Sequence, residues 1–286
     1  MAIKLMYITN NPDVARIAEA AGVDRIFVDM EYIGKSARQG GMDTVQSHHT
    51  VEDVCRLRSV ISKAELMVRI NPIHDAGEGY GSSEEEINAV IEAGADVIML
   101  PYFKTAEEVR RFVKCVDGRA KTFPLVETPE AVAAIDEILA IPGINEIHVG
   151  LNDLSLGLGR KFMFELLADG TIEELSHKFK AAGIPFGFGG IASLGRGMLP
   201  SEYVIREHYR LGSTTAILSR SFCNAHKIQD LKLIRYIFTD GVKQIRILEE
   251  ECREQPADSA YFTENAKIVA QKVRRICDGI VGVGCV

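Results

Sequence analysis

One pattern recurs from the first residues to about residue 222: a short β-type apolar run followed by an amphipathic helical stretch. "IKLMYIT" leads into "NPDVARIAEAAG", and "DRIFVDME" into a long loop and then "TVEDVCRLRSVIS". "ELMVRIN" precedes "SSEEEINAVIEAG", "ADVIMLPYF" precedes "TAEEVRRFVKCV", and "KTFPLVE" precedes "TPEAVAAIDEILAIPG". "NEIHVGLND", "IPFGFGGI" and "STTAILSRSF" are the sixth to eighth runs, with "GTIEELSHKFKAAG" and "PSEYVIREHYRLG" between them. Three of the helical stretches end "AAG", "EAG" and "AAG" directly before a strand, with glycine where a helix closes in the left-handed conformation. Alternating βα units build a parallel sheet, and eight of them predict a (β/α)8 TIM barrel. An open doubly wound sheet is the competing fold. It would carry a glycine-rich fingerprint after its first strand, and "ITNNPDVA" has none.

Local signals set the helix ends. Asn11-Pro12-Asp13 reads as a helix start and Gly22 as its stop. Ser83 with Glu86 reads as a capping box, and Thr50 with Asp53 as a second capped start. The pattern predicts a catalytic barrel over residues 1–228. Residues 229–286 then hold two further helices, in "DLKLIRYIFTDGVKQIRILEEE" and "FTENAKIVAQKVRRIC". A closed barrel does not require both, so they are expected to pack on the barrel or on a neighbouring subunit of a homo-oligomer.

Composition excludes several function classes. At 286 residues, 47% hydrophobic and 26% charged, the chain is long and apolar enough to bury a barrel-sized core. A net charge of −7 argues against binding nucleic acid, which calls for a basic face. No apolar run approaches the ~20 residues that span a bilayer, so no membrane role is expected. The N-terminus lacks a signal-peptide profile, and the six cysteines are scattered without a CxxC pair. Both fit reduced thiols in a cytoplasmic protein.

In a barrel of this kind the site lies at the C-terminal strand ends. Polar residues gather there. The second strand ends Asp29-Met30-Glu31-Tyr32, the third Arg69-Ile70-Asn71, the fifth Glu127-Thr128, and the sixth Gly150-Leu151-Asn152-Asp153. Glu127 and Asp153 fall at equivalent ends of neighbouring strands. Two such carboxylates repel, and a cation between them relieves the repulsion. All-oxygen ligands favour a hard divalent ion, Mg²⁺ or Mn²⁺, with Co²⁺ as a further choice. Taken singly, each acid also reads as a helix cap or a salt-bridge partner, although Thr128 is free to cap the helix after Glu127. Arg69 ends an apolar strand, so it must pair with Asp29 or Glu31, with an anionic ligand, or with both. In the loop from Tyr32 to Thr50, His48 and His49 are candidate general bases. The alternative is that they only lead into the helix at Val51. The "GFGGIASLGRG" stretch offers backbone N–H groups to an anion, or close packing.

"VDRIFVDME", "VRIN", "AGADVIMLPYFKTAEEV" and "PLVETPEAVAAIDEILAIPGINEIHVGLNDLS" together resemble the HpcH/HpaI aldolase and citrate lyase β-subunit family. The resemblance runs over about residues 1–222 and is strongest from Gly94 to Ser155. It implies a metal-dependent barrel of the pyruvate/phosphoenolpyruvate superfamily, commonly oligomeric, that makes or breaks a carbon–carbon bond beside an enolate. Under it, Glu127 and Asp153 match the metal-binding acids and Arg69 the substrate-binding arginine. Asp29 and Glu31 match the acidic motif that supports the metal site. Backbone groups from Gly150 through Leu151 and Asn152 to Asp153 match the segment holding the substrate carboxylate. Two positions depart from the aldolase branch. Tyr32 stands where that branch has histidine, and Leu125 where it often has glutamine. Tyr32, His48 and His49, or a metal-bound hydroxide acting alone, are therefore the candidates for proton transfer.

The expected activity is class II-type aldol chemistry on a pyruvate-like keto acid and an aldehyde, through a pyruvate enolate. A citryl- or malyl-CoA type lyase is the alternative, with Lys35, Arg38, Arg196 and Arg220 as cations for the CoA phosphates. A barrel that binds a keto acid and metal without turnover is a third.

Overall fold

The structure is a computed structural model that describes residues 2–34, 47–256 and 259–283. Lys35 and Arg38, and most of the loop between Tyr32 and Thr50, lie outside the described residues. Eight strands close into a barrel in sequence order, β1 through β8, which decides against the open sheet. By chain contacts the molecule divides into two compact units, Met6–Ile147 and Met1–Leu5 with His148–Val286.

The first unit holds most of β1 (Lys4–Ile8) and then β2 (Arg25–Asp29), β3 (Glu65–Arg69), β4 (Val97–Leu100) and β5 (Lys121–Val126). Its helices are α1 (Pro12–Ala20), α2 (Val51–Arg58), α3 (Ser83–Glu92), α4 (Ala106–Val116), α5 (Pro129–Ala133) and α6 (Ile135–Leu139). The strands are parallel, and the register sets Asp29 against Arg69 and Leu100 against Pro124. Asn11 caps α1, Thr50 and Asp53 close the capping box of α2, and Thr128 caps α5.

Two expectations are corrected here. The capping box of α3 is Ser82 with Glu85, not Ser83 with Glu86. The serine pair permits either frame, and the inward stripe of Ser83, Ile87 and Val90 selects the one that turns Glu86 toward the strands. "TPEAVAAIDEILAIPG" forms two short helices broken at Ala134 (φ −91°, ψ 10°) rather than one. No helix breaker stands there, and buried Ala131, Ile135 and Ile138 keep one apolar stripe across the break.

The second unit contains β6 (Ile147–Val149) from His148 onward, β7 (Phe186–Ile191) and β8 (Thr215–Leu218). Its helices are α7 (Leu151–Gly157), α8 (Glu165–Ala168), α9 (Thr171–Ala181), α10 (Ser201–Leu211), α11 (Leu231–Arg253) and α12 (Ala260–Val283). The "GFGG" run is a packing device. A Cβ on Gly187 would sit 1.9 Å from Thr215 Oγ1, and Gly189 adopts φ 53° with Leu151 against it. The long helix α11 returns to the start of the chain: Glu249 accepts the Ile3 N–H at 2.6 Å, and Arg246 donates to the Ile3 carbonyl at 2.8 Å. Cys55, Cys115, Cys223, Cys252 and Cys277 are free thiols. No described helix is long and apolar enough to cross a membrane.

Candidate active site at the strand ends

In the first unit, the ends of β2, β3 and β5 bring charged side chains into a largely buried cluster. Because Asp29 and Arg69 are register partners, their side chains leave the sheet on the same face. Arg69 donates from Nε and Nη2 to the two oxygens of Asp29, both at 2.8 Å, and its Nε lies 3.5 Å from Glu31 Oε2. The guanidinium also lies 5.5 Å from the centre of the Phe27 ring. Burial opposes its charge, but Asp29, Glu31 and Glu127 together hold it protonated well above the ordinary arginine range. Of the partners expected for Arg69, an internal acid, an anionic ligand or both, the internal acid is present, with Asp29 as the principal one.

Glu127 leaves β5 only 4% exposed and accepts the Tyr102 N–H at 2.9 Å. Tyr102 presents that amide from a left-handed backbone, φ 48°, that a bulky side chain rarely adopts. Thr128 donates to the Phe103 carbonyl at 2.8 Å and accepts the Ala131 N–H at 3.1 Å. Capping therefore falls to Thr128, and the Glu127 carboxylate serves something else.

The tract after β2 is fixed amide by amide. Asp29 N–H donates to His49 Nδ1 (3.0 Å), Met30 N–H to the Arg69 carbonyl (2.9 Å) and Glu31 N–H to Asp29 Oδ1 (3.3 Å). Tyr32 and Ile33 N–H both donate to Asn71 Oδ1, each at 2.9 Å. Neutral His49 thus carries its proton on Nε2, since Nδ1 accepts a backbone hydrogen. It is buried and braces the end of β2, whereas its neighbour His48 is exposed. Tyr32 is 51% exposed, and partial burial with Glu86 and Tyr80 nearby raises its phenol above the ordinary value. At neutral pH Tyr32 is therefore a hydrogen-bond donor rather than a ready base.

Sequence reasoning gave Glu86 to the capping box of α3 and not to the site. It accepts from Asn71 Nδ2 at 2.8 Å and from the Asn71 N–H at 3.2 Å to each oxygen. Burial pushes its carboxyl up from the ordinary value, although the Asn71 hydrogen bonds pull the other way. The available signal was helical spacing, because Glu86 lies three residues after buried Ser83 on the inward stripe.

In the second unit, Gly150 is the N-cap residue of α7, and Leu151, Asn152 and Asp153 form its first turn rather than a strand end. Gly150 has no side chain with which to cap that turn. Its first N–H groups have no partner within the helix. Leu151 is buried, Asn152 is exposed, and Asn152 Nδ2 donates to Asp153 Oδ1 at 3.0 Å. Arg196 and Arg220 are both exposed.

The donor chemistry is compatible with a hard divalent ion. Asp29, Glu31 and Glu127 are three buried carboxylates grouped around the Arg69 guanidinium, and each favours its positive charge. Among the described residues no group of three or more His, Cys, Asp or Glu side chains is arranged to hold a metal ion. A cation here would draw on fewer protein ligands, with water or substrate oxygens completing its shell.

The fold has counterparts among solved structures. An HpcH/HpaI aldolase from Desulfitobacterium hafniense DCB-2 superposes with a TM-score of 0.59 at 19% identity, over 86% of this chain and 93% of that one. An HpcH/HpaI aldolase/citrate lyase family protein from Burkholderia cenocepacia J2315 gives 0.59 at 16% identity, over 82% and 95%. The citrate synthase SbnG gives 0.58 at 18% identity, over 79% and 89%. At these identities the likeness is one of fold. No curated protein matches the sequence significantly. The sequence profile of the HpcH/HpaI aldolase/citrate lyase family matches residues 4–186, more than half of the chain, and the chain belongs to that family of lyases and aldolases.

Proposed function

We propose that this protein is a divalent-metal-dependent carbon–carbon lyase that cleaves or forms a hydroxy-keto acid from a pyruvate-like 2-keto acid and an aldehyde. The observation that carries the reading is the buried cluster of three carboxylates, Asp29, Glu31 and Glu127, around the clamped guanidinium of Arg69. Glu127 and Asp153, matched to the family's metal acids, would hold the ion. A bound Mg²⁺, Mn²⁺ or Co²⁺ supplies Lewis acidity toward the keto oxygen. Arg69 places a fixed positive charge where negative charge develops on the enolate oxygen, and its bidentate bond to Asp29 makes that charge preorganised. The uncapped first turn of α7, Leu151 to Asp153, offers N–H groups to the substrate carboxylate. The Tyr32 phenol, kept protonated, donates to the aldehyde oxygen.

The test is pyruvate release from a panel of hydroxy-keto acids with Mg²⁺, Mn²⁺ or Co²⁺ and with chelator. The wild type should turn over only with metal. Glu127→Ala and Asp153→Ala should each lose metal binding by calorimetry together with turnover. Full metal-dependent activity in either variant would show the ligand assignment to be wrong.

A further inference from the structure

The first turn of α3 is a hub for the strand-end loops. Every residue of "SSEEE" has its own partner. Ser82 and Glu85 close the capping box. Ser83 Oγ accepts the His74 N–H at 2.8 Å, and Glu84 binds Arg111 at 2.7 Å while Arg111 also reaches Asp75 at 2.8 Å. Glu86 holds Asn71 through its backbone and side-chain amides.

The last of these bonds has a direction. Asn71 Nδ2 donates to the Glu86 carboxylate, so Oδ1 must face the Tyr32 and Ile33 N–H groups. Turning the amide over would aim NH₂ at two N–H donors and oxygen at a carboxylate, so Glu86 permits one orientation only. Tyr32 directly follows Glu31, which touches Arg69. Its ring is half exposed, and its environment includes Tyr80 from the loop that leads into α3.

We propose that Asn71 and Glu86 are positioning residues: Glu86 locks the Asn71 amide, Asn71 captures the Tyr32 and Ile33 N–H groups, and the pair thereby sets the Tyr32 phenol at the aldehyde side of the site. The role given to the phenol rests on the lyase reading above. The brace itself does not, so the two fail separately.

The test combines hydrogen exchange with kinetics. Glu86→Ala should remove exchange protection from the Tyr32 and Ile33 amides. It should also lower kcat/KM by roughly 10–100-fold, the usual cost of losing an outer-shell partner. In the condensation direction the loss should fall on the KM of the aldehyde, with that of pyruvate unchanged. The double variant N71D/E86Q transposes the charge: the Tyr32 and Ile33 N–H groups keep their acceptor, the side-chain bond runs from the E86Q amide to the N71D carboxylate, and the residue-71 N–H keeps one of its two acceptor oxygens. It should therefore recover part of the protection and activity that N71D and E86Q lose singly. It also serves if Glu86→Ala folds poorly. In a Tyr32→Phe background, Glu86→Ala should cost little more, because coupled residues are non-additive. Unchanged exchange in Glu86→Ala, an equal kinetic loss in both backgrounds, or a folded double variant no better than the singles would each overturn the proposal. If no hydroxy-keto acid is turned over by the wild type, the lyase reading falls, and the exchange measurements alone decide on the brace.

Discussion

At the scale of single residues, two side chains sit where their own preferences are not met. Tyr102 holds a left-handed backbone to aim its N–H at Glu127, and its ring lies 5.7 Å from the Lys104 ammonium. Tyr102→Ala removes the ring and keeps the strain, whereas Tyr102→Gly removes both and keeps the N–H. The glycine variant should be the more stable of the two by about 1 kcal/mol in urea denaturation, and equal midpoints would mean that the backbone is not strained. His208 stacks on Phe188 at 3.9 Å, shares a 2.8 Å hydrogen bond with Ser213, and has no partner for Nε2 among the described residues. Burial, reinforced by His148, lowers its pKa from 6.5 to about 3. Between those values the unfolded chain binds the proton and the folded chain does not, so stability falls as pH drops from 6.5 toward 3. His208→Leu should show a shallower decline in urea midpoint over that window, and identical slopes would contradict the assignment.

At the scale of elements, most helix starts were legible because caps are local chemistry. Thr50, Thr128 and Asn11 act as their sequences suggest. The start of α3 was not, because Ser82-Ser83 before three glutamates admits two capping frames, and only packing of the inward stripe selects one. The two serines therefore separate by mutation. Ser82→Ala should cost about 1 kcal/mol of stability through loss of the cap. Ser83→Ala should leave the cap intact and instead increase hydrogen exchange at His74, whose N–H it releases. The reverse pattern would restore the frame expected from sequence. The placement of Asn152 and Asp153 in α7 rather than at the end of β6 has a similar origin, since "VGLNDLS" has no strong helix signal until the turn after Gly150 is formed.

At the scale of the whole molecule, the ends of the strands opposite the site carry a second buried charge cluster. Fully buried Arg25, at the start of β2, donates to Glu65 at 2.7 Å and to Glu146 at 2.9 and 2.5 Å, and Lys121 also binds Glu65. Burial opposes the Arg25 charge, and the two glutamates restore it. Truncating one member of a buried ionic cluster leaves the others uncompensated, so Arg25→Leu should destabilise by about 3–5 kcal/mol in chemical denaturation. A loss below 1 kcal/mol would show the cluster to be dispensable. Nothing in the sequence marked Arg25, because it stands in an ordinary strand and its partners lie 40 and 121 residues away.

The sequence by itself determined the repeating βα order, the barrel, the caps of α1, α2 and α5, and the polar residues at the ends of β2, β3 and β5. Each of these follows from periodicity or from contacts within a few residues. The tertiary structure alone decided which acids meet Arg69, that His49 and Asn71 bind backbone N–H groups of the tract after β2, that Tyr102 takes a left-handed turn to hold Glu127, and that Glu86 leaves the cap to hold Asn71. Those choices depend on register between strands and on which side chains share a buried volume, and neither is a property of any one stretch of the chain.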